Sequence, residues 1–576
     1  IRRPPRSTQG VSSAASDVYK RQDLYEENSG EIFAALCREA GKTPLDAVAE
    51  IREAVDFLRY YAAQSTNLGD KIARGIISCI SPWNFPLAIF TGQISAALAA
   101  GNGVLAKPAD PTVIIASIGV RLMHKAGVPE NVLQLVPGPG PVVGAKITSD
   151  PRVNGVCFTG STAVAQTINR SMSGTIEPDA TFIAETGGLN AMIVDSTALP
   201  EQAIKDIVVS AFQSAGQRCS ALRMLYLQKD IAEEFLEMLY GALDQLTVGH
   251  PWKFSTDVGP AINQSAHREI TDYIDAAEQR GDILKRLPVS EGGFFVAPSV
   301  IQVSGIRDLE KEIFGPVLHV ATFGANEIDQ IVFDVNASGY GLTFGLHTRM
   351  DDRVEQVTSQ LNVGNIYVNR NQIGAIVGSQ PFGGEGMSGT GPKAGGPRYV
   401  PRFTRKALPG HAIISGTHVD PVKVQPQLSS LSVQQLGKLS TIDLPGPTGE
   451  SNRLSVFPRG TILCLGPSAK DAKDQYDIAM SNGCKALMVA PGASGDNAVD
   501  GFLPRKHIRT LNNIDGVALW STTDDLKACR KALASREGAI IPLLASPDMA
   551  DQCVLERHIC IDTTAAGGNA TLLAGE

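Results

Sequence analysis

The chain has 576 residues, of which 43% are hydrophobic and 19% charged, values typical of a globular protein with room for three or more domains. Its net charge of −8 argues against a nucleic-acid surface, and no apolar run is long enough to span a bilayer. The nine cysteines are scattered without a C-x-x-C pair, which favours a reducing compartment over a disulfide framework or a zinc site. We therefore expect neither a metal ion nor a nucleic-acid partner.

The first 22 residues differ in character from the rest of the chain. They are basic and polar without an apolar core, which excludes a secretory signal. Their arginine and serine content is compatible with a transit peptide. We expect instead a non-native segment, residues 1–22, joined to a chain that starts within a domain at Asp23.

Residues 23–188 are predicted to form one α/β domain. Helical spacing runs from Asp23 to about Ala63, with Gly41 as a C-cap and Pro44 in the first turn of a second helix. After Gly75, short apolar strands alternate with helices, a pattern that predicts a largely parallel sheet covered on both faces. The predicted strands are GIISCI, GVLAKP, LQLVPG, GVCFTG, TFIAET and, at the start of the next block, NAMIVD.

The rest of the chain divides into three further segments. A second α/β block covers residues 189–393, and a stretch rich in Pro, Gly and Ser over 394–449 is interpreted as a linker with a few short elements. Residues 450–576 read as a smaller α/β unit, with the strands TILCLG, ALMVAP and GVALW. The predicted fold class is α/β throughout.

Polar side chains follow two of the predicted strands in ways that suit a ligand site. Asn84 stands between two prolines in SPWNFP, which fixes the backbone and suits an oxyanion donor, although a turn cap is the simpler interpretation. In AKPAD, Lys107 could reach ribose hydroxyls, and the acid at Asp110 would favour NAD over NADP. An exposed strand end is the alternative for that pair.

Two glycine-containing turns come next. Gly138, Gly140 and Gly144 form G-x-G-x-x-x-G, one residue longer than the usual dinucleotide fingerprint. In FTGST, Ser161 could cap a helix N-terminus or bind a pyrophosphate there. Glu185, in AETGGLN, could be a general base whose pKa is raised by burial, or a solvated strand-end carboxylate.

The segment SAGQRCSALR raises the question of whether Cys219 packs or reacts, since buried cysteines are mostly structural. In chain order, PWNFP, KPAD, FTGST, ETGG and GQRC, followed by EIFGP at 312–316 and PFGG at 381–384, resemble the aldehyde dehydrogenase superfamily. The resemblance implies a Rossmann-like NAD-binding domain and an α/β catalytic domain. It implies that Cys219 attacks the aldehyde, that Asn84 and the Cys219 backbone N–H form an oxyanion hole, and that Glu185 activates the hydrolytic water.

The resemblance also implies a set of residues around NAD. These are Pro82, Trp83, Lys107, Asp110, Gly140, Gly144, Phe158, Gly160, Ser161, Gly187, Glu312 and Phe314. Glutamate is common in the family at the position of Asp110, which keeps the charge and shortens the reach.

Two longer stretches, SPWNFPLAIFTGQISAALAAGNGVLAKPAD and IGAIVGSQPFGGEGMSGTGPKAGGP, look like the glutamate-semialdehyde (1-pyrroline-5-carboxylate) dehydrogenase half of the proline utilization A family. This implies oxidation of L-glutamate γ-semialdehyde to L-glutamate with NAD. Phe85 and Ser220 would line the pocket, and Ser388 and Gly389 would hold the amino-acid end. The last block resembles a degenerate aldehyde dehydrogenase fold without ETGG, GQRC or PWNFP, which would cover the active-site region and help enclose a channel.

The same resemblance sets expectations for partners. The proline dehydrogenase half, its FAD and any membrane association would lie outside this sequence, together with the first portion of the NAD-binding domain. We expect a small semialdehyde substrate, a homo-oligomer and a cytoplasmic location. The alternatives are a dehydrogenase for another semialdehyde and a non-catalytic NAD-binding or scaffold fragment.

Overall fold

A computed structural model of the protein describes residues 23–406, 416–432 and 436–564. The predictions for residues 1–22 and for the remaining parts of the linker and the C-terminus lie outside these ranges. Within them the chain forms three parallel or mixed sheets of five or more strands, each covered by helices. No helix in these ranges is both long and apolar enough to cross a membrane.

The first sheet is fully parallel, with the strand order β4-β3-β2-β5-β6. Its strands are apolar and nearly continuous in burial, as expected for a sheet covered on both faces. The strands of this region are β1 Ile72–Ala73, β2 Ile76–Ile80, β3 Gly103–Lys107, β4 Leu133–Leu135, β5 Gly155–Thr159 and β6 Thr181–Glu185. The helices are Ser29–Ala40, Pro44–Gln64, Ala88–Ala99, Val113–Lys125, Ala145–Ser149 and Thr162–Thr175.

The predicted local signals in this region are confirmed. The first helix ends at Gly41, whose left-handed φ of 63° lets its N–H bond back to Leu36 O. The second begins at Pro44, after Thr43 accepts a hydrogen bond from Asp46 N. All six strands predicted from apolar runs are present, five in this sheet and NAMIVD as the first strand of the next.

The central sheet has ten strands in the order β17-β18-β24-β14-β13-β7-β8-β11-β10-β9. In the sheet, all neighbouring strands between β24 and β10 are parallel. The antiparallel strands are β18 and β17 at one edge and β9 at the other. The strands from β7 onward in this part of the chain are β7 Ala191–Val194, β8 Met224–Gln228, β9 Ile283–Arg286, β10 Ser299–Gln302, β11 Val317–Phe323, β12 Tyr340–Gly341, β13 Thr343–His347, β14 Asn365–Val368, β15 Glu385–Gly386 and β16 Thr404–Arg405. The helices are Pro200–Phe212, Ala232–Leu243, Gln264–Arg280, Ile328–Ala337 and Asp351–Gln360.

The third sheet is parallel and smaller, with the order β21-β20-β19-β22-β23. The remaining strands are β17 Ser440–Leu444, β18 Glu450–Pro458, β19 Thr461–Cys464, β20 Lys485–Ala490, β21 Ala498–Asp500, β22 Gly516–Ala518, β23 Leu543–Leu544 and β24 Val554–Asp562. Its helices are Pro421–Ser432, Ala469–Ser481 and Thr523–Ala534.

The region interpreted as a linker is more structured than its composition suggests. Its helix 421–432 packs on the third sheet, where Val424 and Leu428 are fully buried in the core. Strand β17 pairs with β18 at the edge of the central sheet. Apolar residues at helical spacing therefore outweighed the Pro, Gly and Ser content, and part of 394–449 belongs to two folded units.

The C-terminal unit also completes the central sheet. Strand β24 lies between β14 and β18, parallel to the first and antiparallel to the second. From this strand Arg557 forms a two-pronged ion pair with Glu385, at 3.0 and 2.9 Å, and both side chains are almost fully buried. The pair ties β24 to the short strand β15.

We predict that Arg557→Met lowers the apparent free energy of unfolding by about 3 kcal/mol or more, because it leaves Glu385 buried without its counter-charge. Urea denaturation followed by circular dichroism measures this. Arg307→Met is the matched control, since its pair with Asp334 is 64% exposed on the arginine side and is expected to contribute less than about 1 kcal/mol. Equal losses in the two variants would contradict the prediction, and Glu385→Gln added to Arg557→Met should restore much of the loss.

Candidate active site

Four predicted site fragments leave the first sheet at the same edge. Ile80 pairs with both Lys107 and Phe158, and Thr159 pairs with Glu185, so the carboxyl ends of β2, β3, β5 and β6 are level. From β2 the chain continues to β3 and β4 on one side of the sheet, and from β5 it continues to β6 on the other side. This divergence places a crevice between β2 and β5. In parallel α/β sheets such a crevice is the usual ligand site.

Cys219 lies in the turn between helix 200–212 and β8, facing this edge. The preceding residues Ser214, Ala215 and Gly216 have left-handed φ values of 55°, 54° and 64°. A Cβ on Gly216 would lie 2.2 Å from Gly315 O, so glycine is required there. Such backbone strain is held by surrounding contacts and is concentrated at functional sites.

Asn190 holds the turn from the central sheet. Its Nδ2 donates to Cys219 O at 2.6 Å and to Ala221 O at 2.9 Å, and its Oδ1 accepts from Thr343 N at 3.2 Å. No role was predicted for Asn190. The available signal was a polar residue directly before an apolar strand, which is buried here and uses both ends of its amide.

Asn84 fixes the other side of the turn at residues 213–223, which is named the nucleophile turn after the candidate nucleophile Cys219. Its Nδ2 donates to Gln217 O at 3.1 Å, two residues before Cys219, and the side chain is buried. An amide nitrogen carries two N–H groups, and within the described ranges the second has no protein partner. The side chain is therefore positioned to donate to a ligand atom beside Cys219, as an oxyanion donor must.

The two candidate reactive groups are both poorly ionised at neutral pH. Burial raises the pKa of the Cys219 thiol to about 12, and the negative charges of Glu312 and Glu185 add to that increase. Burial also raises the pKa of Glu185 to about 8, opposed by the Gly384 N–H and the Lys393 ammonium. A carboxyl group whose pKa lies near the working pH is suited to general base chemistry.

Lys393 acts on Glu185 through a single peptide group. Its buried ammonium donates to Gly383 O and, at 2.9 Å, to Asn365 Oδ1. The N–H of the same peptide, on Gly384, donates to Glu185 Oε2 at 2.9 Å. A cation on the carbonyl polarises the peptide and strengthens its N–H as a donor, which stabilises the charged carboxylate. This lysine was not predicted.

Glu312 is held against the glycine pair that follows Glu185. A Cβ on Gly187 would lie 1.8 Å from Glu312 Oε2, so only glycine allows this approach. Arg223 pairs with Glu312 Oε1 at 2.9 Å and also donates to Gly216 O at 2.8 Å and Gly315 O at 3.1 Å. The fully buried Arg223, again not predicted, thus joins the nucleophile turn to the EIFGP segment.

The remaining predicted cofactor residues divide into two groups. Trp83 and Phe314 meet edge to face at 5.5 Å above the crevice, and Lys107 Nζ bonds Asp110 at 3.0 Å at the end of β3. Ser161 caps helix 162–175 by accepting from Val164 N at 3.4 Å.

Four positions from the glycine-containing turns have a mainly structural setting. Phe158 is buried in the core beneath Gly160, where a Cβ would lie 2.6 Å from its ring. Gly140–Gly144 form one wide helical turn that continues into helix 145–149, rather than a tight glycine turn. A Cβ on Gly144 would lie 3.8 Å from the Lys107 side chain, so the Gly144 backbone passes close to that lysine.

The predicted substrate residues are not all brought together. The Phe85 ring faces Lys42 Nζ at 4.6 Å and the Arg218 guanidinium at 5.3 Å, beside the nucleophile turn. Ser220 is buried, and its carbonyl accepts from Gln372 Nε2 at 3.2 Å.

Ser388 and Gly389 differ from the prediction in position. The Ser388 hydroxyl is fully buried, donates to Gly187 O at 2.9 Å and accepts from Gly341 N at 3.1 Å. Gly389 forms a backbone bridge with Glu185. The glycines let this loop approach Glu185 closely, so the loop braces that residue and does not present the Ser388 hydroxyl to a ligand.

We predict that iodoacetamide labels only Cys219 in the folded chain, since the other eight cysteines are buried. The rate should rise about tenfold per pH unit between about pH 7 and pH 10, because only the thiolate reacts and the pKa is far above this range. Mass spectrometry of labelled peptides measures it, with Cys219→Ser as the control. A rate that levels off below about pH 9 would contradict the raised pKa.

Comparison with known proteins agrees with this geometry. The aldehyde dehydrogenase family model matches residues 11–407. The bifunctional protein PutA of Salmonella typhimurium is 43% identical over 602 residues, covering 96% of this chain and 46% of that protein. The 1-pyrroline-5-carboxylate dehydrogenase of Anoxybacillus flavithermus is 38% identical over 411 residues, covering 67% of this chain and 79% of that protein.

Solved structures give the same result. A bifunctional proline utilization A (PutA) protein superposes with a TM-score of 0.67 and 47% identity, covering 69% of this chain and 42% of that chain. A 1-pyrroline-5-carboxylate dehydrogenase from Thermus with bound NAD has a TM-score of 0.65 and 33% identity, over 69% and 80% of the two chains. The chain spans about half the length of the PutA proteins it matches. The family match over more than half of the chain, and the fold and site described above, show that this chain belongs to the aldehyde dehydrogenase family.

Proposed function

We propose that the chain carries an NAD-dependent aldehyde dehydrogenase site that oxidises L-glutamate γ-semialdehyde, the open form of 1-pyrroline-5-carboxylate, to L-glutamate. The observation that carries the proposal is the arrangement around Cys219. A half-buried thiol lies in a strained turn, with a fixed amide at Asn84 and a buried carboxyl at Glu185 on the neighbouring sheet edge. The relatives named for 1-pyrroline-5-carboxylate support the choice of substrate.

In the first half of the reaction, the Cys219 sulfur attacks the aldehyde carbon and the carbonyl oxygen becomes an oxyanion. Because the thiol pKa is about 12, the thiol must give its proton to water in the crevice as the substrate binds, and the thiolate formed in this way attacks. The second N–H of Asn84 and the Cys219 backbone N–H donate to the oxyanion. Collapse of this thiohemiacetal expels hydride and leaves a thioester on Cys219.

In the second half, water hydrolyses the thioester and restores the thiol. Glu185 takes a proton from the water as it attacks, which requires the carboxylate form. The Gly384 N–H holds one Glu185 oxygen, and the other has no hydrogen-bond partner in the described ranges. That second oxygen is the one we assign to the water.

The crevice residues fit a dinucleotide. The Thr162–Thr175 helix begins at the carboxyl edge of β5, and its N-terminus suits a pyrophosphate, while Lys107 lies at the end of β3. Glu312 is placed for ribose hydroxyls because Gly187 leaves room for its carboxylate. When bound, NAD would supply the hydride acceptor.

The substrate pocket is assigned to residues beside the nucleophile turn. The amide of Gln372 bonds Ser220 O, and Arg218 donates to Ile373 O at 3.3 Å, so the turn at 373–375 passes next to Cys219. The backbone N–H groups of Gly374 and Ala375 have no hydrogen-bond partner within the described ranges. We assign them, with Phe85 as the apolar wall, to the amino-acid end of the substrate in place of Ser388 and Gly389. The homo-oligomer and the cytoplasmic location stay predictions.

We predict that Cys219→Ala lowers NADH formation from 1-pyrroline-5-carboxylate by more than about a thousandfold, because no thioester can form. Glu185→Gln should keep a rapid first turnover of NADH and slow the steady state by about a hundredfold or more. Stopped-flow absorbance separates the two phases. Loss of the rapid phase in Glu185→Gln would instead place Glu185 in thiol deprotonation, and no NADH from the unmodified chain would contradict the proposed function.

The steady-state rate is expected to depend on pH through the ionisation of Glu185. Hydrolysis needs Glu185 as the carboxylate, so the steady-state rate should rise with pH through about pH 8. The Lys393 cation lowers the pKa of Glu185, so Lys393→Met should move this rise to higher pH by on the order of one unit. The control is Lys311→Met, an exposed lysine paired with Glu269, whose profile should match the unmodified chain. A lower rate with an unmoved profile would mean that Lys393 only supports the fold.

A further inference from the structure

A second cavity lies at the amino end of β6, where the first sheet meets the C-terminal unit. It opens between the turn that leads into β6, the segment 398–406 and the region around helix 523–534. Seven cationic and three acidic side chains line it, which gives a net charge of +4. The cations are Lys71, Arg74, Arg398, Arg402, Arg405, Lys406 and Arg530, and the acids are Asp179, Asp548 and Asp551.

Two of the three acids are already used by neighbouring cations. Asp179 lies 3.7 Å from Arg74 and 3.6 Å from Arg405. Asp551 lies 2.8 Å from Arg398 and 3.9 Å from Lys71. The third, Asp548, forms no ion pair within the described ranges, and its charge acts on Arg74 from a distance.

Arg530 is satisfied by backbone. Its guanidinium donates to the carbonyl oxygens of Glu177, Pro178 and Ala180 at 3.3, 2.7 and 3.0 Å. These contacts fix the turn before β6 against helix 523–534. Because Arg530 is bound by backbone carbonyls, the carboxylates of the cavity remain available to the other cations.

Arg402 is a half-buried cation of this cavity without a partner in the described ranges. Within the described ranges its guanidinium makes no hydrogen bond or ion pair, although the side chain is half-buried. Burial and the positive charges of Arg459 and Arg74 lower its pKa to about 9, and the more weakly acting charges of Asp551 and Glu556 oppose this. Arginine remains charged in proteins, and a half-buried cation beside other cations is unfavourable without a counter-ion.

The segment that carries Arg402 is held in place without a ligand. Strand β16 pairs with β1, with Arg405 opposite Ile72. Asn102 Nδ2 donates to Phe403 O at 3.0 Å, and Arg74 Nε donates to Arg402 O at 3.1 Å. A rigid backbone on both sides of the residue means that its guanidinium is presented to the cavity rather than placed there by a loose loop.

We propose that this cavity binds a small dianion whose phosphate or carboxylate oxygens pair with Arg402. The planar guanidinium fork matches either group. The cavity is also lined by apolar side chains that would contact the carbon part of an organic dianion, namely Phe182, Leu533, Ile540, Ile541 and Leu543. The site is separate from the crevice, because it lies at the amino end of β6 and Glu185 lies at the carboxyl end.

Thermal unfolding at constant ionic strength tests the proposal, with inorganic phosphate or glutarate replacing chloride. We expect a saturable rise of roughly 2–5 °C in the unfolding midpoint with at least one of the two anions. Arg402→Met should lose this rise, and in chloride it should be at least as stable as the unmodified chain because an unpaired cation is gone. Lys107→Met, which removes a cation from the crevice, should keep the rise.

The two anions distinguish the sources: a response to phosphate alone identifies a phosphate-bearing ligand, and a response to glutarate alone identifies a dicarboxylate. No saturable response to either anion overturns the proposal. So does an unchanged response in Arg402→Met, or its loss in Lys107→Met, which would place the anion in the crevice. A lower midpoint for Arg402→Met in chloride would assign Arg402 to the fold instead.

Discussion

The site depends on one short crossover, residues 185–190, which carries the chain from β6 of the first sheet to β7 of the central sheet. Glu185 ends the first strand, and Asn190 precedes the second and bonds the carbonyl of Cys219. Between them, Gly187 has no side chain, and this lets Glu312 come within contact of the backbone. The proposed base, the nucleophile turn and the crevice wall are therefore positioned by the same six residues, so a shift of one sheet against the other would disturb all three.

The buried charges around Cys219 form ion pairs, and the arginine of each pair also donates hydrogen bonds to the backbone. Arg218 is held by Asp46 at 2.8 Å and Arg223 by Glu312 at 2.9 Å, and each also donates to main-chain carbonyls. Neutralised pairs of this kind give rigidity without a strong net field. Among the described residues, no unpaired cation lies near the resting thiol to ionise it, which agrees with its raised pKa.

The sequence contained the parts of the site that recur as local motifs. Asn84, Lys107, Ser161 and Glu185 each lie at the end of a predicted strand or within four residues after it, and the parallel pattern places such positions at one edge. The missed residues work over long distances in the chain: Lys393 reaches Gly383 and, through it, a carboxylate 208 positions earlier. No local spacing contains that information. Ser388 was predicted to hold the substrate from its glycine-rich loop, whereas its hydroxyl bonds Gly187 O. The local sequence could not separate these two cases, because a glycine-rich loop is equally suited to close packing and to ligand binding.

The place of β24 has a consequence for how the chain is made. Its neighbours in the sheet, β14 and β18, precede it by about 190 and 100 residues, so neither can pair with β24 until that length of chain has been synthesised. Until residues 554–562 leave the ribosome, β14 presents an unpaired edge to any other strand nearby. Such late, non-local closure slows folding and exposes a surface prone to mispairing. A protein of this topology would benefit from a chaperone that shields the edge of β14 until β24 arrives.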